Sequence, residues 1–184
     1  SLLGSGTLVK SGGSPADIAW SGSAASLNSF NGAISVDEGS LAVNSGNTGT
    51  AGSGNSDVTV ALGAEFDVRS GTVLIDSLDG AGTVKNSSGT GNTLSLGNND
   101  GSGTFSGAIT LVDPDGFSVI KSGSGTQTLA NAEGNTYDGT TTINGGTLVE
   151  QPSLTGGTWT RATSSTTIES EGTLVLDTSA QSNA

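Results

Sequence analysis

Carboxylates and hydroxyls are the groups in this sequence that could do chemistry, because its 184 residues include no Cys, His or Met. Without thiols or imidazoles, the chain cannot build a classical zinc, haem or iron–sulfur site, nor a Cys/His nucleophile. We therefore expect no cofactor and assign no catalytic, cofactor-binding or metal-binding residue.

Clustered carboxylates beside a basic residue are what polysaccharide lyases and hydrolases need. Several acidic residues and two basic ones could converge if the chain coils: Asp57, Asp67, Asp76 and Asp79, with Arg69 and Lys85. Nothing in their spacing singles out a pair at a catalytic separation. We predict that the protein is not an enzyme, and a carbohydrate-active enzyme remains the alternative.

Two acidic loops raise the question of calcium, a cation that prefers oxygen ligands. Asp113-Pro114-Asp115-Gly116 could hold calcium, but Pro followed by Asp-Gly is also typical of a type I turn. Asn98 to Gly103 matches neither the EF-hand spacing nor the calcium-binding nonapeptide repeat. We interpret both segments as turns.

Exposed threonines and aromatic side chains are candidate contact residues. Thr-x-Thr steps, as in some ice-binding solenoids, occur at four places: Thr48/Thr50, Thr126/Thr128, Thr140/Thr142 and Thr158/Thr160. They do not recur once per coil, and Thr is also a common residue on strand surfaces. Among the aromatic residues Trp20, Trp159, Phe30 and Tyr137, we expect Phe30 and Tyr137 inside or at a corner. Trp159 with Arg161 is the candidate partner contact, and surface glycans are a candidate class of ligand.

The charge is strongly negative, with 5 basic and 17 acidic residues and a net charge of −12. A polyanionic chain is repelled by nucleic-acid phosphates and by anionic lipid, so we expect neither as a partner. The charges are spread along the chain, which is typical of solvated faces.

The elements that must position these groups are short strands. Gly, Ser, Thr and Asn interrupt every window of about ten residues, so no helical period is sustained. Alternating runs such as Val58 to Leu62, Phe66-Asp67-Val68 and Thr72 to Ile75 end in Gly, Asn or Asp. This pattern predicts an all-β fold of short strands joined by tight turns.

The runs repeat. Residues 28–41 align without a gap on residues 135–148, at an offset of 107. The matching positions are Phe30, Gly32, Val36, Gly39 and Leu41 in the first copy, and Tyr137, Gly139, Ile143, Gly146 and Leu148 in the second. Residues 1–8 also resemble residues 77–84. We predict two β-solenoid modules, 1–76 and 77–184, stacked as one continuous domain, the second with an insertion of roughly thirty residues.

Two architectures satisfy the pattern. Asn-Gly and Asp-Gly pairs favour hairpins and hence an antiparallel β-sandwich. A Gly-x-Leu step after each turn favours a right-handed parallel β-helix, in which stacked coils bury one continuous apolar column. We prefer the parallel β-helix and expect eight or nine coils at about 20 residues each.

One stretch resembles the autotransporter-associated β-strand repeat, also called the passenger-associated transport repeat. It reads Lys121-Ser-Gly-Ser-Gly-Thr-Gln-Thr-Leu129, followed by Asn135-Thr-Tyr-Asp-Gly-Thr-Thr-Thr-Ile-Asn-Gly-Gly-Thr-Leu-Val149. The resemblance covers roughly 75–150, with a weaker copy at about 1–45. One departure is Ala130-Asn131-Ala132-Glu133-Gly134, where the family has Leu-Ser-Gly. The resemblance implies a parallel β-helix in exported or cell-surface bacterial proteins, as stalk or scaffold.

Neither end of the sequence shows a helical cap, and an uncapped solenoid end exposes unpaired strand edges. We therefore expect a secreted or cell-surface structural protein that associates end to end with copies of itself into a fibre. The alternative is a stalk segment of an autotransporter-like adhesin, whose partners are its own flanking coils.

Overall fold

Short runs with one apolar side form strands here because each strand buries that side against the next coil. The computed structural model describes residues 3–14, 30–43, 50–69, 71–89, 91–112, 116–131, 134–151, 153–155, 158–160 and 165–179. The described residues contain strands and turns and no α-helix.

The strands of these ranges are, in chain order, β1 (Leu8–Lys10), β2 (Ile34–Val36), β3 (Ser40–Val43), β4 (Thr50–Ala51), β5 (Val58–Val60), β6 (Glu65–Val68), β7 (Thr72–Leu74), β8 (Leu78–Gly80), β9 (Thr83–Asn86), β10 (Asn92–Leu96), β11 (Gly103–Phe105), β12 (Ala108–Leu111), β13 (Phe117–Lys121), β14 (Thr126–Leu129), β15 (Thr140–Glu150), β16 (Ser153–Thr155), β17 (Thr158–Thr160) and β18 (Ser165–Leu176).

The strands stack in parallel on three faces, which the chain visits in the order A, B, C. Face A holds β1, β2, β5, β8, β11, β14 and the later halves of β15 and β18. Face B holds β3, β6, β9 and β12. Face C holds β4, β7, β10, β13 and the earlier halves of β15 and β18. We name the connections the A–B, B–C and C–A corners.

The parallel ladders confirm the β-solenoid and show that the antiparallel sandwich is wrong. Among the described strands, β16 and β17 alone pair in the antiparallel sense. The expected eight or nine coils are also wrong, because the solenoid makes about five turns. Coils are mostly longer than the assumed length: Leu8 pairs with Ile34, 26 residues on, and Thr93 pairs with Ser118, 25 residues on. The right hand of the coil stays a prediction.

The core is a set of columns that run along the solenoid axis. On face B, Leu41, Phe66, Val84 and Ile109 follow one another in register and are all at most 1% exposed. Fully burying such a side chain contributes about 1.5–3 kcal/mol. This continuous apolar column is how a chain with 31 glycines folds.

The two predicted modules meet at residues 76 and 77, and three strand pairs cross that point: β5 with β8, β6 with β9, and β7 with β10. The stack is therefore continuous there, while the division into two modules stays a prediction.

Candidate functional site

The corners of the solenoid carry the motif that the sequence repeats, an aromatic residue followed two positions later by Gly. Phe30 lies at the C–A corner, where its carbonyl accepts a hydrogen bond from Ser53 Oγ at 2.6 Å. Phe105 ends β11 at the A–B corner. Tyr137 precedes β15 at the B–C corner, beside Thr136, which donates its N–H to the Ile109 carbonyl at 2.9 Å. One motif thus serves all three corners.

Gly in this motif is required by the coil below. A Cβ on Gly32 would overlap the carbonyl oxygen of Gly6 and lie 2.7 Å from the Phe30 ring. Gly107 has the same surroundings, with the Gly82 carbonyl and the Phe105 ring at 2.7 Å. The aromatic ring and the carbonyl of the previous coil together fill the space that any side chain would need.

The other repeat positions lie on different faces in the two copies. Val36 is on face A and Leu41 on face B, whereas Ile143 is on face C and Leu148 on face A. All four are buried, as are Phe30 and Tyr137. Gly39 and Gly146 have positive φ, 70° and 60°, at the A–B and C–A corners. Gly139, two residues after Tyr137, donates its N–H to the Phe117 carbonyl at 3.0 Å. The repeat is therefore rotated by one face between its two copies.

Two buried lysines end strands and point their ammonium groups at corner carbonyls. Lys10 Nζ donates to the carbonyls of Gly12 at 2.6 Å and Glu38 at 2.9 Å. Lys121 is fully buried, and its Nζ donates to the carbonyls of Ser122, Gly123 (3.3 Å) and Gly145 (3.5 Å). Each ammonium ties together two successive turns of the chain.

Burial lowers the pKa of Lys121 below its usual 10.5, since a charged group loses hydration inside the solenoid. The carboxylates of Asp100 and Asp76 act in the opposite direction. Corner carbonyls hold the buried ammonium, which lies out of reach of a substrate.

Carboxylates cap backbone amides of the following coil at the corners. Asp76 Oδ1 accepts from the N–H groups of Asn99 at 2.9 Å and Gly101 at 2.7 Å. Asp100 Oδ1 accepts from Ser124 N–H at 2.7 Å, and the hydrogen bonds from Ser124 lower the pKa of Asp100. Buried or turning backbone amides need such partners where the strand ladder stops. These acids hold coils together.

The acidic residues considered for catalysis separate into three places. Asp57 and Asp79 come together on face A around the Ser77 hydroxyl, at 2.7 and 3.3 Å. Asp76 lies at the C–A corner. Asp67 is buried in β6, on face B, against Arg69 Nε (2.8 Å) and Ser87 Oγ (2.6 Å).

Lys85, the remaining basic candidate, forms an ion pair with Glu65 at 2.6 Å. Each of these groups has a structural partner, and no geometry among the described residues favours a carbohydrate-active enzyme.

Of the two candidate calcium loops, the structure describes the second in full. Asp113, Pro114 and Asp115 lie outside the described residues. Asn98 to Asp100 form a turn in which Asn98 Nδ2 donates to the carbonyls of Ile75 and Ser95 at 2.9 and 2.8 Å. Within the described ranges, no group of three or more acidic residues is arranged to hold a metal ion.

Of the two candidate partner contacts, Trp159 lies in a described strand. Trp159 belongs to β17, whose backbone pairs with β16 so that Trp159 lies opposite Leu154. Arg161 and Trp20 lie outside the described residues. The β16–β17 hairpin forms its own two-stranded sheet between the strands that form the last turns of the solenoid.

A polar cluster crosses the core near β15. Tyr137 Oη lies 2.9 Å from Thr141 Oγ1 and donates to Glu150 Oε1 at 3.5 Å. These residues come from a corner, face C and face A, and all are buried. The sequence gives no signal that these three side chains come together, because the lengths of the corners determine which residues face one another.

Sequence reasoning also missed an inward glutamine. Gln127 lies in β14 and is 1% exposed, and its register partner in β11 is Gly103. The Gln127 amide reaches past Gly103 to Leu78, two coils away, with Nε2 donating to the Leu78 carbonyl at 2.8 Å and Oε1 accepting from Leu78 N–H at 3.1 Å. A Gln at an apolar inward position opposite a Gly was the available signal.

Comparison with known proteins identifies the family to which the repeat belongs. The model of the passenger-associated transport repeat matches residues 119–149. The chain carries a passenger-associated transport repeat. The repeat runs from β13 through β14 into β15, so it contains the Lys121 carbonyl contacts, Gln127 and the Tyr137–Gly139 corner.

A relative extends the similarity beyond the repeat. The Brucella suis biovar 1 (strain 1330) protein "Adhesin BmaC autotransporter" is 35% identical over 133 residues, 71% of this chain. The chain spans 4% of the length of that protein. No solved structure matches the chain. None of the described residues form a helix long and apolar enough to cross a membrane.

Proposed function

We propose that the chain is a shaft segment in the passenger of a bacterial autotransporter adhesin, secreted or displayed at the cell surface. The passenger-associated transport repeat and the 35% identity to an autotransporter adhesin support the passenger assignment and this location. The observation that carries the shaft role is the continuous parallel stack, in which corner carboxylates, lysines and glycines all contact the adjoining coil.

A solenoid suits a shaft because each coil contacts only its neighbours, so the length grows without a change in cross-section. Asp67, Asp76 and Asp79, which could have contributed to a reaction centre, instead accept hydrogen bonds from backbone amides of the adjoining coil. A segment built in this way supports and spaces the parts of a protein that recognise a surface.

Small-angle X-ray scattering and a binding assay test the shaft role together. The purified chain should scatter as a rod with a constant cross-section and should show no saturable binding to immobilised host-cell surfaces or glycans. A compact, isotropic particle would contradict the solenoid shaft. A rod that binds saturably would instead make this segment an adhesive module.

A second candidate function is end-to-end self-association into a fibre. The exposed apolar side chains of β18 favour it. Ile168 is 50% exposed, whereas its register partner one coil earlier, Ile143, is fully buried. Leu176 is 49% exposed and lies beyond Glu150 in the same stack. An apolar row along an outer strand is a template for another β-strand.

Negative-stain electron microscopy over a range of concentrations tests this second candidate. Filaments should form with the unmodified chain and disappear with Ile168→Lys plus Leu176→Lys. The matched control is Thr59→Lys, an exposed outward residue of β5, which should leave the filaments intact. Isolated short rods at every concentration would rule out end-to-end assembly.

A further inference from the structure

The outer surface of face C is uncharged, although the chain carries a net charge of −12. Its outward positions are those that alternate with the buried inward residues of each strand. Among the described residues those that are not buried are Thr50, Thr72, Leu74, Thr93, Ser118, Ile120, Thr140, Thr142, Ser165 and Thr167. Eight carry a hydroxyl, two are aliphatic and none is ionisable. By contrast, face A presents Asp79, and face B presents Glu65 and Lys85.

Hydroxyls recur on this face once per coil. Thr50, Thr72, Thr93, Ser118, Thr140 and Ser165 form one column in register. The intervals between them are irregular in sequence because corner lengths vary, so the column is visible only in the fold. Thr140 N–H donates to Ser118 Oγ at 3.1 Å, which holds two rungs of the column together.

We propose that the outer surface of face C is a lateral docking surface for a second copy of the chain. A two-fold interface places the same surface on both partners, so each group must complement itself. A hydroxyl does this because it both donates and accepts a hydrogen bond, whereas a carboxylate or an ammonium opposite itself repels. The partly buried Leu74 and Ile120 add apolar area in the adjoining column.

Geometry and charge both favour a copy of the chain over another partner. Rungs of a parallel solenoid are about 4.8 Å apart in both copies, so hydroxyls on one surface match those on the other along its whole length. Two polyanions approach best where neither presents charge. Threonine is stiff at χ1 and loses little rotamer freedom when it becomes ordered at an interface.

The size of the surface sets its strength. Six rungs at about 4.8 Å and three residues of strand give roughly 300 Å² per copy. Stable interfaces bury about 800 Å² per partner, so we expect weak pairing between single chains that strengthens when many solenoids stand side by side. Pairing along face C goes beyond the shaft role and does not require the β18 edge.

Sedimentation velocity from about 10 μM to 1 mM tests the proposal. The unmodified chain should show a reversible monomer–dimer equilibrium. Exposed carboxylates of Asp138 and Glu169 border the face, so dimerisation should strengthen as salt rises, opposite to an interface made of ion pairs.

Thr93→Glu should weaken the dimer at least tenfold, and so should Thr93→Lys, while an equimolar mixture of the two variants should restore it. The matched control Thr59→Glu, on face A, should dimerise as the unmodified chain does. Unchanged circular dichroism would show that each variant is folded, and Ile168→Lys would leave this lateral dimer intact.

A chain that stays monomeric at 1 mM overturns the proposal, as does equal weakening by Thr59→Glu and Thr93→Glu. Monomers that bind a neutral polysaccharide through Thr93 would also overturn it and assign the face to glycans. Failure of the lateral proposal leaves the shaft role untouched, because the shaft role rests on the parallel stack of coils and not on the outer surface of face C.

Discussion

The side-chain amide of Gln127 replaces a missing strand partner for the backbone of Leu78, 49 residues earlier. By register with the Gly80–Phe105 pair, Leu78 lies beneath Gly103. The Gln127 amide supplies one donor and one acceptor, as a peptide group would. A Cβ on Gly103 would lie 2.6 Å from the Leu78 carbonyl oxygen and 3.1 Å from Gln127 Oε1, so the glycine leaves room for this contact.

Replacement of this amide should be costly. Gln127→Leu leaves the N–H and the C=O of Leu78 buried without partners, and each such group costs about 1–3 kcal/mol. We expect the free energy of unfolding in urea to fall by about 2–4 kcal/mol. Thr128→Val, on the outer side of the same strand, is the control and should change it by no more than about 0.5 kcal/mol. Equal stability of the two variants would show that water satisfies Leu78.

The corner glycines give a second prediction. Gly107→Ala places a methyl group against the Gly82 carbonyl, so coils must separate locally, and we expect a loss of about 3 kcal/mol in unfolding free energy. Gly13→Ala is the matched control, since nothing lies within 4 Å of its Cβ position and its φ is not positive. The control should be neutral or slightly stabilising, because Ala restricts the unfolded chain. Thermal unfolding of both variants, compared with that of the unmodified chain, measures the two changes in stability.

A third prediction concerns the buried ammonium of Lys121, whose pKa is lowered by burial. Between this lowered pKa and the usual 10.5, the unfolded chain binds more protons than the folded one. Stability therefore rises with pH across that window and is penalised below it. Lys121→Met should remove this rise, as measured by urea midpoints between pH 7 and pH 10.5.

Lys85→Met serves as the control for Lys121, since it removes a lysine that forms an ion pair on the outside of face B. The alkaline rise should persist in this variant. If Lys121→Met and the unmodified chain show the same pH profile, the proton linkage lies elsewhere.

Local patterns allowed the strand content and the stacked architecture to be predicted. Val58 to Val60 and Phe66 to Val68 alternate and end at turn residues, and both lie in strands. Leu62, which the same pattern placed in a strand, lies in the A–B corner and is 83% exposed. The corner loops rather than the strands therefore set where each run ends.

The face on which a motif lies could not be predicted. Phe30 and Tyr137 match in sequence, yet they serve the C–A and B–C corners, because an offset of 107 is not a whole number of coils of uneven length. Lys121 would be placed at the surface by its charge alone. It is buried because three carbonyls, which only the folded corner brings together, replace its hydration.

The last prediction concerns Asp100, whose pKa lies below 3.8 because the backbone N–H and the hydroxyl of Ser124 favour the charged carboxylate. The unfolded chain takes up this proton at a higher pH than the folded one. The contribution of Asp100 to stability is therefore present above pH 3.8 and is lost as pH falls through the lowered folded pKa. Asp100→Asn should be less stable than the unmodified chain at pH 7, and the difference in urea midpoint should shrink below pH 3.8. Ser124→Ala, which keeps the backbone donor, should show a smaller difference with the same pH trend. A difference that stays constant down to pH 2 would mean that the loss in Asp100→Asn is steric rather than electrostatic.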